Sequence, residues 1–185
     1  GGKQFPCHRI ILAANSDVLH RMITSAMKEK QSNEVVLDSI PPDVMESILK
    51  YMYTGKTDFQ ASCLLGLVEA CNFLQMLELR DLCVRKVPDI LSTENVLSWI
   101  RLACMLNLHK VSEQCQKLLR VSYKHLVRRD QFFELELQEL RYCLDEVKRG
   151  RTSPDTMLKS VFTWINHCVE SRISHLGKLL EDVDL

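Results

Sequence analysis

Apolar residues recur at intervals of three and four along most of this chain, and this periodicity limits the possible fold more than any other feature. From Leu64 to Leu74, for example, Leu67, Val68 and Cys71 fall on one side of a helix. Further apolar stretches with this spacing begin at Leu79, Val96, Val111, Met157 and Ile173. Only six Gly and five Pro interrupt the 185 residues, a composition that favours helices over turn-rich sandwiches. We therefore predict a mainly α fold, with paired antiparallel helices from residue 61 onward.

The first forty residues differ from the rest because they carry two candidate strands. Pro6 disfavours helix at the residues before it, so residues 3–7 are expected to start extended and then lead into a short helix from Ile10. Residues 34–37, with the sequence Glu-Val-Val-Leu, are short and rich in β-branched side chains. The N-terminal part is therefore predicted to be a small α+β unit.

Caps and prolines predict the ends of individual helices. Ser16 can cap a second helix, and Gly55 is placed to end the helix that begins at the preceding prolines. Pro88 is expected to close a helix, after which Ser92 can cap the next one. The apolar residues 132–144 are too dense for one stripe, so two short helices with a break near Glu136 are expected.

The length suggests one large or two small domains, because 185 residues slightly exceed a typical single domain. The Pro88 stop and the fresh cap after it place the boundary near Leu91, which gives units of residues 1–91 and 92–185. Twenty-four Lys and Arg balance twenty-four Asp and Glu, so nucleic acids and anionic membranes are poor candidate partners. No apolar run approaches the ~18 residues of a membrane span, and we expect a cytoplasmic protein, with the nucleus as a second compartment.

Eight cysteines are present, but none of their spacings has the tight C-x-x-C form of a zinc or redox site. We predict no metal and no cofactor. Cys71, Cys83, Cys104 and Cys115 each keep step with Leu or Val at helical spacing, and we expect them to pack in the core as small apolar side chains.

Motifs for catalysis are missing from the sequence. It contains no G-x-S-x-G, H-E-x-x-H or phosphate-binding glycine loop, and its six histidines are scattered without metal spacing. His167 and Cys168 are adjacent, so their side chains point in different directions on a helix. We predict a protein without enzymatic activity.

Cys63 is a candidate reactive thiol because it lies at the start of a predicted helix, where free N–H groups favour a thiolate. No basic residue is close to it in the sequence, and the nearest local charge is Asp58. A structural or simply exposed cysteine is the competing interpretation.

Several segments together resemble the BTB (POZ) domain and the BACK domain of Kelch-like proteins. The BTB resemblance is carried by F-P-C-H-R-I-I-L-A-A-N-S at residues 5–16, V-V-L at 35–37 and Y-M-Y-T-G at 51–55. The BACK resemblance is carried by residues 91–123, 130–133 and 161–167. Residues 1–91 are thus identified as a BTB domain and residues 92–185 as a BACK domain.

The resemblance implies a substrate adaptor of a cullin-3 RING ubiquitin ligase. In such proteins BTB homodimerises and binds cullin-3, BACK extends that contact, and a Kelch propeller holds the substrate. Met27 and Glu29 match the hydrophobic-x-Glu cullin signature, and Arg9 matches the basic position of the dimer pocket. The helix after Ser92 and its neighbour from Lys110 match the pair that closes over the cullin tail.

The sequence departs from the family pattern at both ends. The family's first helix and first strand are expected before Gly1, and that helix supplies most of the dimer contact. No Kelch repeat follows Leu185 in this sequence. Dimerisation and substrate binding are therefore expectations about the parent protein.

Two alternatives remain open at this stage. One is a dimerising scaffold with a cytoskeletal or transcriptional role that does not use cullin-3. The other is an electrophile sensor acting through Cys63. Persistence of function without cullin binding would favour the scaffold, whereas ordinary alkylation rates at Cys63 would exclude the sensor.

Overall fold

The computed structural model describes residues 3–24, 34–56 and 59–183, and the chain divides into two compact units, Gly1–Ile90 and Leu91–Leu185. All regular secondary structure in the described residues is helical. The predicted mainly α architecture is confirmed.

The first unit is built from short helices packed in sequence order. Its described α-helices are α1 (Arg9–Asn15), α2 (Asp17–Thr24), α3 (Pro42–Thr54), α4 (Leu64–Phe73), α5 (Leu77–Val84) and α6 (Val87–Ile90), and a 3₁₀ turn at Ala61–Cys63 leads into α4. Helix α1 packs on α2 and α3, and α4 packs on α3 and α5. Fully buried Ile48, Leu67 and Val68 form the centre of the core, where burial of each side chain contributes about 1.5–3 kcal/mol.

Two local signals in this unit act as predicted. Ser16 separates α1 from α2, and its Oγ accepts a 3.1 Å hydrogen bond from the Leu19 backbone N–H, which confirms the cap. Gly55 follows α3 with φ 67°, and its N–H donates to the Tyr51 carbonyl. This left-handed conformation is one that glycine adopts without steric cost.

Neither predicted strand forms in the described residues. Residues 3–8 and 34–37 have no regular structure, and no ladder hydrogen bonds join them to the other described backbone. A strand requires a paired neighbour, which β propensity alone does not supply. Both segments instead line one groove of about 750 Å³, together with buried Leu12, Leu19 and Met45.

The prediction that Pro88 closes a helix is wrong. Helix α5 already ends at Val84, and the Lys86 N–H donates a 3.0 Å hydrogen bond to the Cys83 carbonyl in the turn that follows. Pro88 lies in the first turn of α6. Proline is tolerated there because the first N–H groups of a helix need no intrahelical acceptor.

The second unit consists of longer antiparallel helices. Its described α-helices are α7 (Val96–Met105), α8 (His109–Leu126), α9 (Asp130–Phe133), α10 (Leu137–Arg149), α11 (Pro154–His167), α12 (Val169–Arg172) and α13 (Leu176–Asp182), with a 3₁₀ turn at Ile173–His175. Helix α8 packs on α7 and α10, and α13 packs on α10 and α11. Trp99, Tyr123 and Phe132 are the largest fully buried side chains.

Helix boundaries in this unit follow side-chain hydrogen bonds. The break near Glu136 is confirmed, since α10 begins there with a capping box in which Glu139 accepts from the Glu136 N–H. Helix α7 begins at Val96 rather than at Ser92. The Ser92 N–H donates to the Asn95 side chain at 2.9 Å, so residues 92–95 form a separate turn.

Three of the four cysteines expected in the core are there. Cys71, Cys83 and Cys115 have no exposed surface. The prediction is wrong for Cys104, which is exposed. It lies at the edge of the apolar stripe of α7, where Ala103 takes the buried position with only 2% of its surface exposed.

Candidate partner-binding surfaces

The sequence-predicted cullin signature, Met27 and Glu29, lies outside the described residues. The described helix nearest to it in the chain is α2, which ends at Thr24. The surroundings of α2 therefore form the described part of this candidate surface.

A turn flanked by two exposed apolar residues lies beside α2. Phe73 and Leu77 are 49% and 52% exposed, and they flank the turn that joins α4 to α5. We call these two residues and the intervening residues 74–76 the apolar turn. Solvated aromatic and aliphatic side chains at one turn are typical of a contact surface rather than of a core.

Hydrogen bonds hold the apolar turn against α2. The buried Ser16 hydroxyl donates to the Leu74 carbonyl at 2.6 Å, and Arg21 donates to the Gln75 side chain at 2.9 Å. Gln75 adopts φ 56° within the turn. The exposed pair is thus fixed beside the helix that leads, in sequence, to Met27. The sequence pattern does not mark this pair, because neither residue belongs to a predicted apolar stripe.

Arg9, the predicted dimer-pocket residue, is exposed at the start of α1. Its guanidinium donates a 2.9 Å hydrogen bond to the Ile23 carbonyl at the end of α2. It also lines the 750 Å³ groove beside Glu34 and Asp38. This geometry ties α1 to α2, and the role of Arg9 in a dimer stays a prediction.

Cys63 meets a carboxylate rather than a base. Its Sγ donates to Asp43 Oδ2 at 3.1 Å. This hydrogen bond lowers the pKa of Asp43, and together with partial burial it raises the pKa of Cys63 above the usual thiol value. A reactive thiol needs a lowered pKa, so these surroundings oppose the sensor hypothesis; Asp58, the charge nearest in the sequence, lies outside the described residues.

The buried thiols of the second unit are also unreactive. Burial raises the pKa of Cys115 and of Cys143 to about 12, because the low-dielectric interior disfavours the thiolate. Both side chains are fully buried. They therefore contribute to packing rather than to thiol chemistry.

Residues 3–24, 34–56 and 59–183 contain neither a candidate metal-binding cluster nor a candidate membrane-spanning helix. No three His, Cys, Asp or Glu side chains there are grouped so that they could hold a metal ion. No helix in these ranges combines the length and hydropathy needed to cross a bilayer.

Family comparisons match both units. The BTB/POZ domain family matches residues 1–91, and the family described as BTB And C-terminal Kelch, or BACK, matches residues 96–185. The matches leave only residues 92–95 between them, which is the turn before α7.

Comparison with curated proteins gives relatives of one kind over the whole chain. The chain is 28% identical to Kelch-like protein 40b of Danio rerio and 26% identical to Kelch-like protein 6 of Homo sapiens, across 99% of this chain and 30% of each relative. It is 27% identical to Kelch-like protein 38 of Homo sapiens, across 100% of this chain and 32% of that protein. The chain spans about a third of the length of these relatives. It belongs to the Kelch-like family of BTB–BACK proteins.

Proposed function

We propose that this chain acts in a substrate adaptor of a cullin-3 RING ubiquitin ligase. The observation that carries the proposal is the succession of a BTB match and a BACK match over nearly every residue. In the Kelch-like family this pair of domains generally serves as a cullin-3 adaptor. The adaptor role is one of binding and positioning, and the protein itself carries out no chemical step.

Met27 and Glu29 are the proposed centre of the cullin-3 contact. A methionine side chain is flexible and polarizable, so it can fill an irregular apolar pocket. A glutamate two residues later can accept charge-assisted hydrogen bonds at the rim of that pocket. The exposed Phe73 and Leu77 support this assignment, because they supply further apolar surface beside the helix that precedes Met27 in the chain.

The remaining partners follow from the same proposal. The BTB unit would pair with a second copy, with Arg9 at the dimer pocket. The substrate would bind a Kelch domain of the whole protein. No nucleic acid or membrane partner is proposed, since basic and acidic side chains balance at 24 each.

Calorimetric titration of the cullin-3 N-terminal domain into the chain tests the central contact. We expect Met27→Ala with Glu29→Ala to weaken binding by about 2 kcal/mol or more, equivalent to roughly 30-fold in Kd. The matched control is Val169→Ala with Glu170→Ala, an exposed apolar and acidic pair on α12. This control should bind like the parent chain, and thermal unfolding should show that both variants are folded.

Two results would overturn the proposal. One is no measurable heat for the parent chain. The other is an unchanged Kd in the Met27 and Glu29 variant, because the signature would then carry none of the binding energy.

A further inference from the structure

The exposed face of α8 carries a row of lysines that form no ion pair within the described residues. Lys110, Lys117 and Lys124 are spaced by seven residues, which is close to two helical turns, so they lie along one line. Gln114 and Val121 fall between them on the same face. All five side chains are exposed, and Val121 is 87% exposed. We call these five residues the α8 stripe.

Charge is unevenly distributed on this helix. Across the chain Lys and Arg equal Asp and Glu at 24 each. Helix α8 carries four Lys and Arg but one acidic residue, Glu113, which lies beside the stripe. Of the four, Arg120 is paired with Glu146 at 2.7 Å. The other three are the lysines of the α8 stripe.

The stripe lysines differ from the arginines around them. In the second unit, five of the eight arginines form ion pairs with acidic neighbours: Arg101, Arg120, Arg129, Arg141 and Arg149. None of the ion pairs within residues 3–24, 34–56 and 59–183 includes a lysine of the stripe. The positive charge of the stripe is therefore not neutralised by the described part of the chain.

Helix stability accounts for only part of this pattern, since Glu113 lies one turn before Lys117 but Lys110 and Val121 gain nothing from the helix. Lys110 lies in the first turn of α8, where the helix dipole is positive and a cation is unfavourable; this turn has no acidic residue. Val121 is β-branched and has a lower helix propensity than Ala or Lys. Its side chain is also too exposed to stabilise the core. Only Lys124, near the C-terminus, interacts favourably with the dipole.

We propose that the α8 stripe binds an acidic segment of a partner protein. From Lys110 to Lys124 the stripe is about 21 Å long, at 1.5 Å per residue. The segment would place carboxylates over the three lysines and an apolar side chain over Val121. Paired charges would increase the association rate and set the register, and the apolar contact would slow dissociation.

A protein fits this surface better than a nucleic acid or a membrane. The basic side chains form a single row rather than the broad patch that a phosphate backbone would contact. Val121 projects from the middle of the row and gives phosphates nothing to bind. Helix α8 also belongs to the helix pair that the family resemblance places over the cullin tail, but the peptide test uses no cullin-3, so its failure and the failure of the proposed function are distinguishable.

Fluorescence anisotropy with a defined probe tests the inference. The probe is a labelled helical peptide with glutamates every seven residues and leucines between them, and its control has glutamine in place of glutamate. We expect Lys110→Glu, Lys117→Glu and Lys124→Glu together to raise the Kd at least about tenfold at low salt. The matched control reverses three exposed lysines elsewhere, Lys56, Lys159 and Lys178, and should stay within about twofold of the parent chain.

A further variant separates the apolar contact from the charges. Val121→Ser should raise the Kd severalfold and leave its salt dependence unchanged, because no charge is removed. Three results would overturn the inference. The two triple variants could lose equal affinity for the peptide, the parent chain could fail to bind the peptide, or it could bind the glutamate and glutamine peptides equally well. Tighter binding to duplex DNA or to phosphatidylserine vesicles than to the peptide would also overturn it.

Discussion

Glu146 is the buried charge of the second unit. Only 3% of its side chain is exposed, and it accepts hydrogen bonds from Arg120 at 2.7 Å and from Arg149 at 3.2 Å. Burial of a carboxylate is unfavourable unless cationic donors replace the lost water. Two guanidinium groups that remain partly exposed supply these donors at little desolvation cost of their own.

Removal of this carboxylate should destabilise the second unit. We expect Glu146→Ala to lower the free energy of unfolding by about 2 kcal/mol, below the full cost of breaking a buried pair because Arg120 can still reach water. Glu94→Ala is the control, since Glu94 is 74% exposed and lies 3.7 Å from Arg129; it should cost less than about 0.5 kcal/mol. Urea unfolding followed by tryptophan fluorescence measures both, because Trp99 and Trp164 are the two tryptophans of the chain. Equal costs would contradict this account.

Cys63 offers a second test at a single residue. The raised pKa means that at pH 8 less of this thiol is ionised than of a free thiol, so alkylation should be slow. Asp43→Asn removes the carboxylate that accepts the hydrogen bond, and iodoacetamide should then react about twofold faster or more. Peptide mass spectrometry resolves Cys63 from the other exposed cysteines. Asp155→Asn, which changes the first-turn acid of α11, should leave the rate unchanged; a slower rate in Asp43→Asn would refute the assignment.

At the scale of the helix, Ser16 and Ser153 each stand immediately before a helix but differ in their contacts. Ser16 is buried, caps α2 and donates to the apolar turn. Ser153 precedes α11 and is exposed, with its hydroxyl bonded to that of Thr156 at 2.9 Å. The first serine therefore joins two elements, whereas the second has only a local contact.

Alanine at these two positions should have unequal effects. We expect Ser16→Ala to cost about 2 kcal/mol, because it removes a cap and leaves the Leu74 carbonyl without that donor. Ser153→Ala should cost less than about 0.5 kcal/mol. Thermal unfolding by circular dichroism, with tryptophan fluorescence reporting the second unit separately, gives both values. A cost at Ser153 as large as that at Ser16 would argue against the contact between α2 and the apolar turn.

Helix boundaries could be predicted where the signal is local. The Ser16 cap, the Gly55 stop and the Glu136 break each depend on side chains within a few residues, and all three are found. The strand at residues 34–37 depends on a partner elsewhere in the fold, which the local sequence does not specify. The prediction that Cys104 is buried failed for a related reason, since burial at the edge of an apolar stripe depends on which helix packs there.

For the molecule as a whole, family resemblance marks the cullin signature at Met27 and Glu29, whereas only the structure marks the apolar turn. Met27 and Glu29 were identified by resemblance alone, because a single Met-x-Glu has no periodicity or spacing that would mark it. The apolar turn was recognised only from the structure. Exposure of Phe73 and Leu77 depends on how α4 and α5 pack, and the sequence pattern does not encode which apolar side chains are left uncovered.

The exposed side chains of the apolar turn should contribute more to cullin-3 binding than equally exposed apolar side chains elsewhere. We expect Phe73→Ser with Leu77→Ser to weaken binding about tenfold or more, because two exposed apolar contacts are lost. The melting temperature should fall by a similar amount in this variant and in its control, since all four side chains are about half exposed in the free protein. Phe162→Ser with Ile173→Ser, at 43% and 50% exposure in the second unit, is the control. Normal binding by the apolar-turn variant would remove this surface from the proposed contact.

The affinity of the unmodified chain for the cullin-3 N-terminal domain tests the adaptor assignment most directly. Calorimetry should give a saturable complex with one cullin-3 domain per chain and a Kd of about 1 μM or tighter, near 8 kcal/mol of binding free energy. The absence of saturable binding at concentrations of about 100 μM would contradict the assignment.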